Sequence, residues 1–212
     1  MNIKSFASAA LLAGTVLTMT ACSKDPIEKL SSEESRLYIT NRDNTVNFSS
    51  YKTFSISDSV AIISNNQLKQ KTRDQFDQQL IASISAAMTA RGYSQVGKNQ
   101  TPDIGINVNN IINTYTGYVD YGNYYNDYYG YLDPFYWGYG GYGYSGSYIG
   151  TYQVNEGLIS IDMFDLKNAP ATGKIASIWN GLVRGSGIFG DVSIDGSVKA
   201  LFDQSTYLKA NP

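Results

Sequence analysis

Residues 157–165 read Gly-Leu-Ile-Ser-Ile-Asp-Met-Phe-Asp. Ile159, Ile161 and Met163 share one face of an extended chain, and Leu158, Ser160, Asp162 and Phe164 share the other, which marks a strand. Upstream, residues 103–108 alternate in the same way. Ile104, Ile106 and Val108 face one side, Asp103, Gly105 and Asn107 the other, and Ile111 and Ile112 extend the run. Downstream, Lys167 to Gly173 is a turn containing Pro170, and Ile175 to Val183 forms the next strand around Trp179, so that strand and residues 157–165 read as a hairpin.

Further out, residues 51–56 alternate as a half-buried strand, and the Ser- and Asn-rich residues 57–66 read as a loop. Between Leu68 and Arg91 the apolar positions Phe76, Leu80, Ile81, Ile84, Ala87 and Met88 form one helical stripe. Asn65 or Asn66 is the expected cap and Gly92 the expected stop. Tyr93 to Val96 form a short strand. Ile194, Val198, Leu201, Phe202 and Ser205 mark a second helix, capped by Ser193 or Asp195. This order predicts an α+β domain over residues 46–207, with two helices on one face of a mainly antiparallel sheet.

Residues 115–152 interrupt that domain as a long Tyr/Gly-rich insertion between two strands, with the character of an enlarged hairpin tip. Fourteen of the 18 tyrosines fall there, and no Lys or Arg occurs between Lys98 and Lys167. Three readings stand: a flexible low-complexity loop, a recognition surface of flat rings with hydroxyls, and an interfacial belt against lipid headgroups. As a contact surface its candidate residues are Tyr124, Tyr125, Tyr128, Tyr129, Phe135 and Trp137. Base stacking needs a cationic groove that this segment lacks, and its Gly-Tyr-Gly-Gly-Tyr-Gly run has no phosphate-loop lysine.

The absence of histidine and the single cysteine exclude Cys/His zinc sites, Ser-His-Asp and Cys-His nucleophiles and an internal disulfide. A net charge of -2 argues against a nucleic-acid partner. Among the acids, Asp162 and Asp165 point to opposite faces, Glu156 and Asp162 are too far apart for a glycosidase pair, and Asp103 opposite Asp162 is conceivable. The plainer reading has edge carboxylates accepting turn or backbone hydrogen bonds or pairing with Arg184. Asp120, Asn123, Asn126, Asp127 and Asp133 offer oxygen ligands for Ca²⁺, but without EF-hand spacing, and are read as solvated loop polars. No metal, no cofactor and no enzymatic activity are expected.

Residues 1–21 have Lys4 followed by an apolar run from Phe6 to Leu17, a secretory signal too short to span a bilayer. The segment Met19-Thr20-Ala21-Cys22 resembles a bacterial lipobox, which implies that Cys22 becomes a diacylglyceryl-bearing, palmitate-type mature N-terminus. Residues 22–45, polar with Pro26 and a Ser/Glu cluster, then form a linker. The expected location is the outer membrane, lipid-anchored, on the periplasmic face or at the cell surface.

Several landmarks in this order resemble the DUF4136 family of bacterial envelope lipoproteins. They are Tyr51-x-x-Phe54, Arg91-Gly92-Tyr93, Pro102-Asp103-Ile104, residues 156–162 (Glu-Gly-Leu-Ile-Ser-Ile-Asp) and Trp179-Asn180-Gly181. The resemblance covers about residues 48 to 205 and implies a fold and a place, not a chemistry. The expected function is a non-catalytic binding or scaffolding module. The alternative is a carbohydrate- or peptidoglycan-binding protein that uses the tyrosine-rich insertion. Expected partners are the membrane, through the N-terminal lipid, and an envelope protein or glycan.

Overall fold

The structure, a computed structural model, describes residues 36–64, 67–112, 134–145, 157–185, 188–189 and 193–211. The signal segment, Cys22 and much of the tyrosine stretch lie outside the described residues. The elements run β1 (Leu37–Arg42), β2 (Thr53–Ile56), β3 (Val60–Ser64), β4 (Gln67–Thr72), α1 (Gln75–Ala90), β5 (Ser94–Gln95), β6 (Ile104–Ile112), β7 (Gly143–Ser145), β8 (Gly157–Asp165), α2 (Ala169–Thr172), β9 (Lys174–Arg184) and α3 (Ile194–Gln204). Short 3₁₀ turns occupy Phe48–Ser50 and Pro134–Trp137.

Three long strands form the centre. β8 pairs antiparallel with β6, placing Val108 beside Ile161, and with β9, placing Ile161 beside Gly181. Each outer edge of this centre carries two short strands end to end. β1 and β7 line β9, while β2 and β3 line β6; β5 then joins β2 and β4 joins β3.

The fold is α+β, as expected, but the sheet is mixed rather than mainly antiparallel. Four of the eight described pairings, β2–β5, β2–β6, β3–β6 and β7–β9, are parallel. The cause is a crossover: between β2 and β6 the chain passes through α1 and returns in its original direction, as parallel neighbours require.

Three boundaries also move. Residues 57–66 contain β3, because Val60-Ala61-Ile62-Ile63 is a continuous apolar run suited to a strand covered on both faces. Helix α1 starts at Gln75 rather than near Leu68, since residues 67–72 pair with β3. Its cap is therefore Asp74, not Asn65 or Asn66. Asp77 N–H donates to Asp74 Oδ1 at 2.9 Å and Asp74 N–H to Asp77 Oδ2 at 3.2 Å, a reciprocal capping box. The expected linker over 22–45 contains β1, paired residue by residue from Leu37–Arg184 to Arg42–Trp179, so the domain begins before residue 46. The 167–173 turn holds the single helical turn α2, closed by Gly173 at φ 66°.

Two apolar clusters flank the sheet. On one face Leu80, Ile84 and Met88 of α1 and Val198, Leu201 and Phe202 of α3 pack with Ile104, Ile106, Val108, Ile159, Ile161 and Met163. On the other face Ile111, Leu158, Phe164, Leu166, Ile175 and Leu182 pack with Trp137 and Tyr144. The inward sets are those that period-two alternation separates.

Candidate functional site

Residues 134–145, the described part of the tyrosine stretch, cross the sheet face opposite the helices as a strap. At one end the Tyr136 hydroxyl accepts the Asp58 backbone N–H at 3.2 Å, beside the β2–β3 edge. The Trp137 indole, only 4% exposed, then lies against Gly105 of β6. Next, the Tyr139 hydroxyl donates to the Leu166 carbonyl at 3.0 Å. At the far end β7 pairs with β9, and buried Tyr144 meets Phe164 with ring centroids 5.1 Å apart. The stretch is thus more than an enlarged hairpin tip: part of it reaches from one edge of the sheet to the other.

Three rings of the strap, Tyr136, Tyr139 and Tyr142, stay half-exposed. Tyr136 stands edge-on to Trp137 at 4.8 Å and 90°, and Tyr139 and Tyr142 lie 5.4 Å apart. Burial raises the phenol pKa values of Tyr136 and Tyr139 above their ordinary value.

The cations missing from the stretch itself arrive from elsewhere. Lys98 Nζ lies 4.1 Å from the Tyr136 ring centroid and Lys71 Nζ of β4 lies 5.7 Å away. Arg73 pairs with Asp58 at 3.8 Å beside the Tyr136 hydroxyl. No local pattern could find this cluster, because its members come from separate segments of the chain.

The carboxylates have structural partners. Asp162 is fully buried in a polar row that runs across four strands: Asn41 of β1, Asn180 of β9, Asp162 of β8 and Asn107 of β6 stand register to register. Its carboxylate accepts from Asn109 Nδ2 at 2.7 Å, from the Ser160 hydroxyl at 2.8 Å and from Asn180 Nδ2. Arg184 stands opposite Leu158, four residues along β9 from Asn180. Asp103 is not opposite Asp162; it accepts the backbone N–H groups of Lys52 (2.6 Å) and Thr53 (3.2 Å) and so ties β2 to the start of β6. Asp165 accepts from the Asn168 N–H at 3.0 Å and from its Nδ2 at 2.7 Å, closing the turn into α2. Burial, and then the Asp165 charge, raise the nearby Tyr51 phenol pKa.

Of the contact residues expected from sequence, Tyr124, Tyr125, Tyr128 and Tyr129 lie outside the described residues, as do Glu156 and the five oxygen-ligand candidates. The same holds for the Phe135 side chain. Trp137 belongs to the sheet-face core. Among the described residues no cluster of three metal-ligating His, Cys, Asp or Glu side chains occurs, and no helix is long and apolar enough to cross a membrane.

The sequence profile of DUF4136, a domain of unknown function, matches residues 39–205. A crystal structure of a DUF4136 family protein from Bacteroides thetaiotaomicron VPI-5482 is similar at a TM-score of 0.68 with 28% identity, over 82% of this chain and 98% of that one. Weaker similarity, at a TM-score of 0.37 in each case, extends to a PelC dodecamer variant from Paraburkholderia phytofirmans (9% identity; 82% of this chain, 100% of that one) and to a PDZ domain protein from Parabacteroides distasonis ATCC 8503 (13% identity; 82% and 36%). No curated protein matches.

Proposed function

The chain belongs to the DUF4136 family, and from that premise we propose that it is a lipid-anchored protein of a bacterial cell envelope that binds or scaffolds a partner without catalysis. The observation that carries the reading is the leader ending in Met19-Thr20-Ala21-Cys22, with the chain's only cysteine at the acylation position. Each buried CH₂ of an acyl chain contributes about 0.8 kcal/mol, so several chains hold a protein on a bilayer without a spanning helix. In this reading the anchor sits in the outer membrane and residues 115–152 are an insertion presented between β6 and β8. The non-catalytic part is supported by Asp103, Asp162 and Asp165, whose oxygens are engaged in holding strands and turns together. The test is fractionation of Cys22→Ala in the native host: the variant leaves the membrane fraction, and continued pelleting with membranes overturns the anchor.

A second reading, glycan binding, is favoured by the half-exposed rings of Tyr136, Tyr139 and Tyr142, since a flat apolar face with a polar tip suits a sugar ring. Deletion of residues 118–132 leaves Trp137 and β7 in place. The deletion loses pull-down on insoluble peptidoglycan if residues 118–132 carry the contact, and a combined Tyr136→Ala, Tyr142→Ala variant loses it if the strap does. Pull-down retained by both variants ends this reading.

A further inference from the structure

A cleft of about 560 Å³ opens between α1 and the β2–β5 edge. That size lies within the ordinary range of small-ligand sites, about 300–1,000 Å³. Its walls carry Arg73, Asp58, Gln78, Ser85 and Gln95, with Ile81 among the apolar lining. Amides, a hydroxyl and a guanidinium around a small apolar area suit a hydroxyl-rich ring.

The cleft and the Tyr136 cluster meet at Asp58. Asp58 lines the cleft, pairs with Arg73, and through its backbone N–H holds the Tyr136 hydroxyl. The Tyr136 ring carries Lys98 and Lys71. Three cations from two separate segments, Lys71 and Arg73 beside β4 and Lys98 after β5, thus gather around Tyr136 and Asp58 next to a polar cleft, in a chain whose net charge is -2. Tyr136 is fixed by its hydrogen bond to Asp58 and by the edge-on contact with buried Trp137, so the lysines gather on a rigid ring.

We propose that the cleft and the adjoining Lys71–Tyr136–Lys98 cluster form a binding site for an acidic saccharide, with sugar hydroxyls against Gln78, Ser85 and Gln95 and the sugar carboxylate facing Arg73 and the two lysines. This rests on the glycan-binding reading and specifies its ligand. Arg73 offers the planar fork that matches a carboxylate, and the lysines add point charge that draws the anion in. The Asp58–Arg73 pair is exposed and loose, so a ligand carboxylate competes for the guanidinium at little cost.

The test is calorimetric titration of the purified full-length protein with trigalacturonate, with galactotriose as its uncharged counterpart. The acid binds and the neutral sugar binds about tenfold more weakly or not at all. Lys71→Gln and Lys98→Gln, both at exposed positions, each weaken the acid about fivefold, and raising salt from about 0.05 to about 0.3 M weakens it further. Ala82→Phe, on the exposed side of α1 and in the cleft lining, abolishes binding by filling the space. Equal affinity for the two sugars, lysine variants without effect, or retained binding in Ala82→Phe overturns the proposal. So does binding to anionic phosphatidylglycerol vesicles with none to trigalacturonate. Peptidoglycan pull-down that persists while trigalacturonate fails removes this site and leaves the glycan reading standing.

Discussion

Gly105 and Trp137 are in direct contact: a Cβ built on Gly105 would sit 3.1 Å from two carbons of the indole and 2.9 Å from Leu166 Cδ1. This glycine, near the start of β6, is the seat on which the strap rests. Gly105→Ala forces Leu166 or Trp137 to move and is expected to cost about 1–3 kcal/mol. Trp137→Ala empties the seat and costs about 3–5 kcal/mol. Urea denaturation monitored by far-UV circular dichroism checks both. If Trp137→Ala unfolds at the wild-type midpoint, the strap does not contribute to the core.

Asp162 ties three strands through one carboxylate. Asp162→Leu leaves the Asn109, Ser160 and Asn180 donors buried without their acceptor, at about 1–3 kcal/mol each before relaxation. Asp162→Asn keeps the shape and one acceptor oxygen, so its loss is smaller. Equilibrium unfolding of the pair ranks them. Equal stability of Asp162→Leu and wild type contradicts a supporting role for the row.

Arg91 follows the last residue of α1 but finishes α3. Its Nη1 donates to the carbonyls of Ser205 (2.9 Å) and Leu208 (3.1 Å), and its Nη2 to that of Phe202. The last carbonyls of a helix have no partner within it, so one guanidinium serves the end of α3 and the turn beyond it. Arg91→Ala is expected to cost about 2–3 kcal/mol. Arg91→Lys recovers only part, because a point charge cannot span three acceptors. Hydrogen exchange of the 198–205 amides reads the effect locally, and unchanged protection there would exclude this function for Arg91.

Tyr93 makes stability depend on alkaline pH. Burial pushes its phenol up from 10.0 to about 12, partly opposed by Arg91, while its hydroxyl donates to the Phe48 carbonyl at 3.1 Å. A folded pKa above the unfolded one means that the folded state holds the proton longer. The stabilisation is therefore complete below pH 10 and is lost as pH rises from 10 toward 12. Tyr51 shifts in the same direction. Tyr93→Phe loses about 1 kcal/mol at neutral pH but has a shallower decline above pH 10. Urea midpoints measured from pH 8 to 11.5 test this, and parallel declines for the two proteins refute it.

The central strands were legible because their alternation is local. Residues 104–108 and 157–165 each carry their two faces in their own spacing, and the inward sets found in the structure are the ones the spacing separates. β3 was not legible, since a strand covered on both faces loses its alternation, and Val60 to Ile63 offered only an apolar run after a serine-rich stretch. The start of α1 was misplaced because Leu68 extends the apolar count although it pairs with Ile63 of β3. The candidate site was the least legible part. Tyr136 was visible only as one tyrosine among fourteen, and nothing local to it pointed to Lys71, Lys98 or Asp58.

By itself the sequence determined the α+β class, the three central strands, both long helices and the family, all of which depend on patterns within a few residues of one another. Only the tertiary structure decided that the sheet is mixed, that Asp162 lies in a buried polar row, and that an aromatic stretch without cations of its own meets lysines at Tyr136. Those features depend on which distant segments a crossover and a strap bring together. Chain spacing carries no record of that, because the free energy of such contacts appears only when the segments are packed.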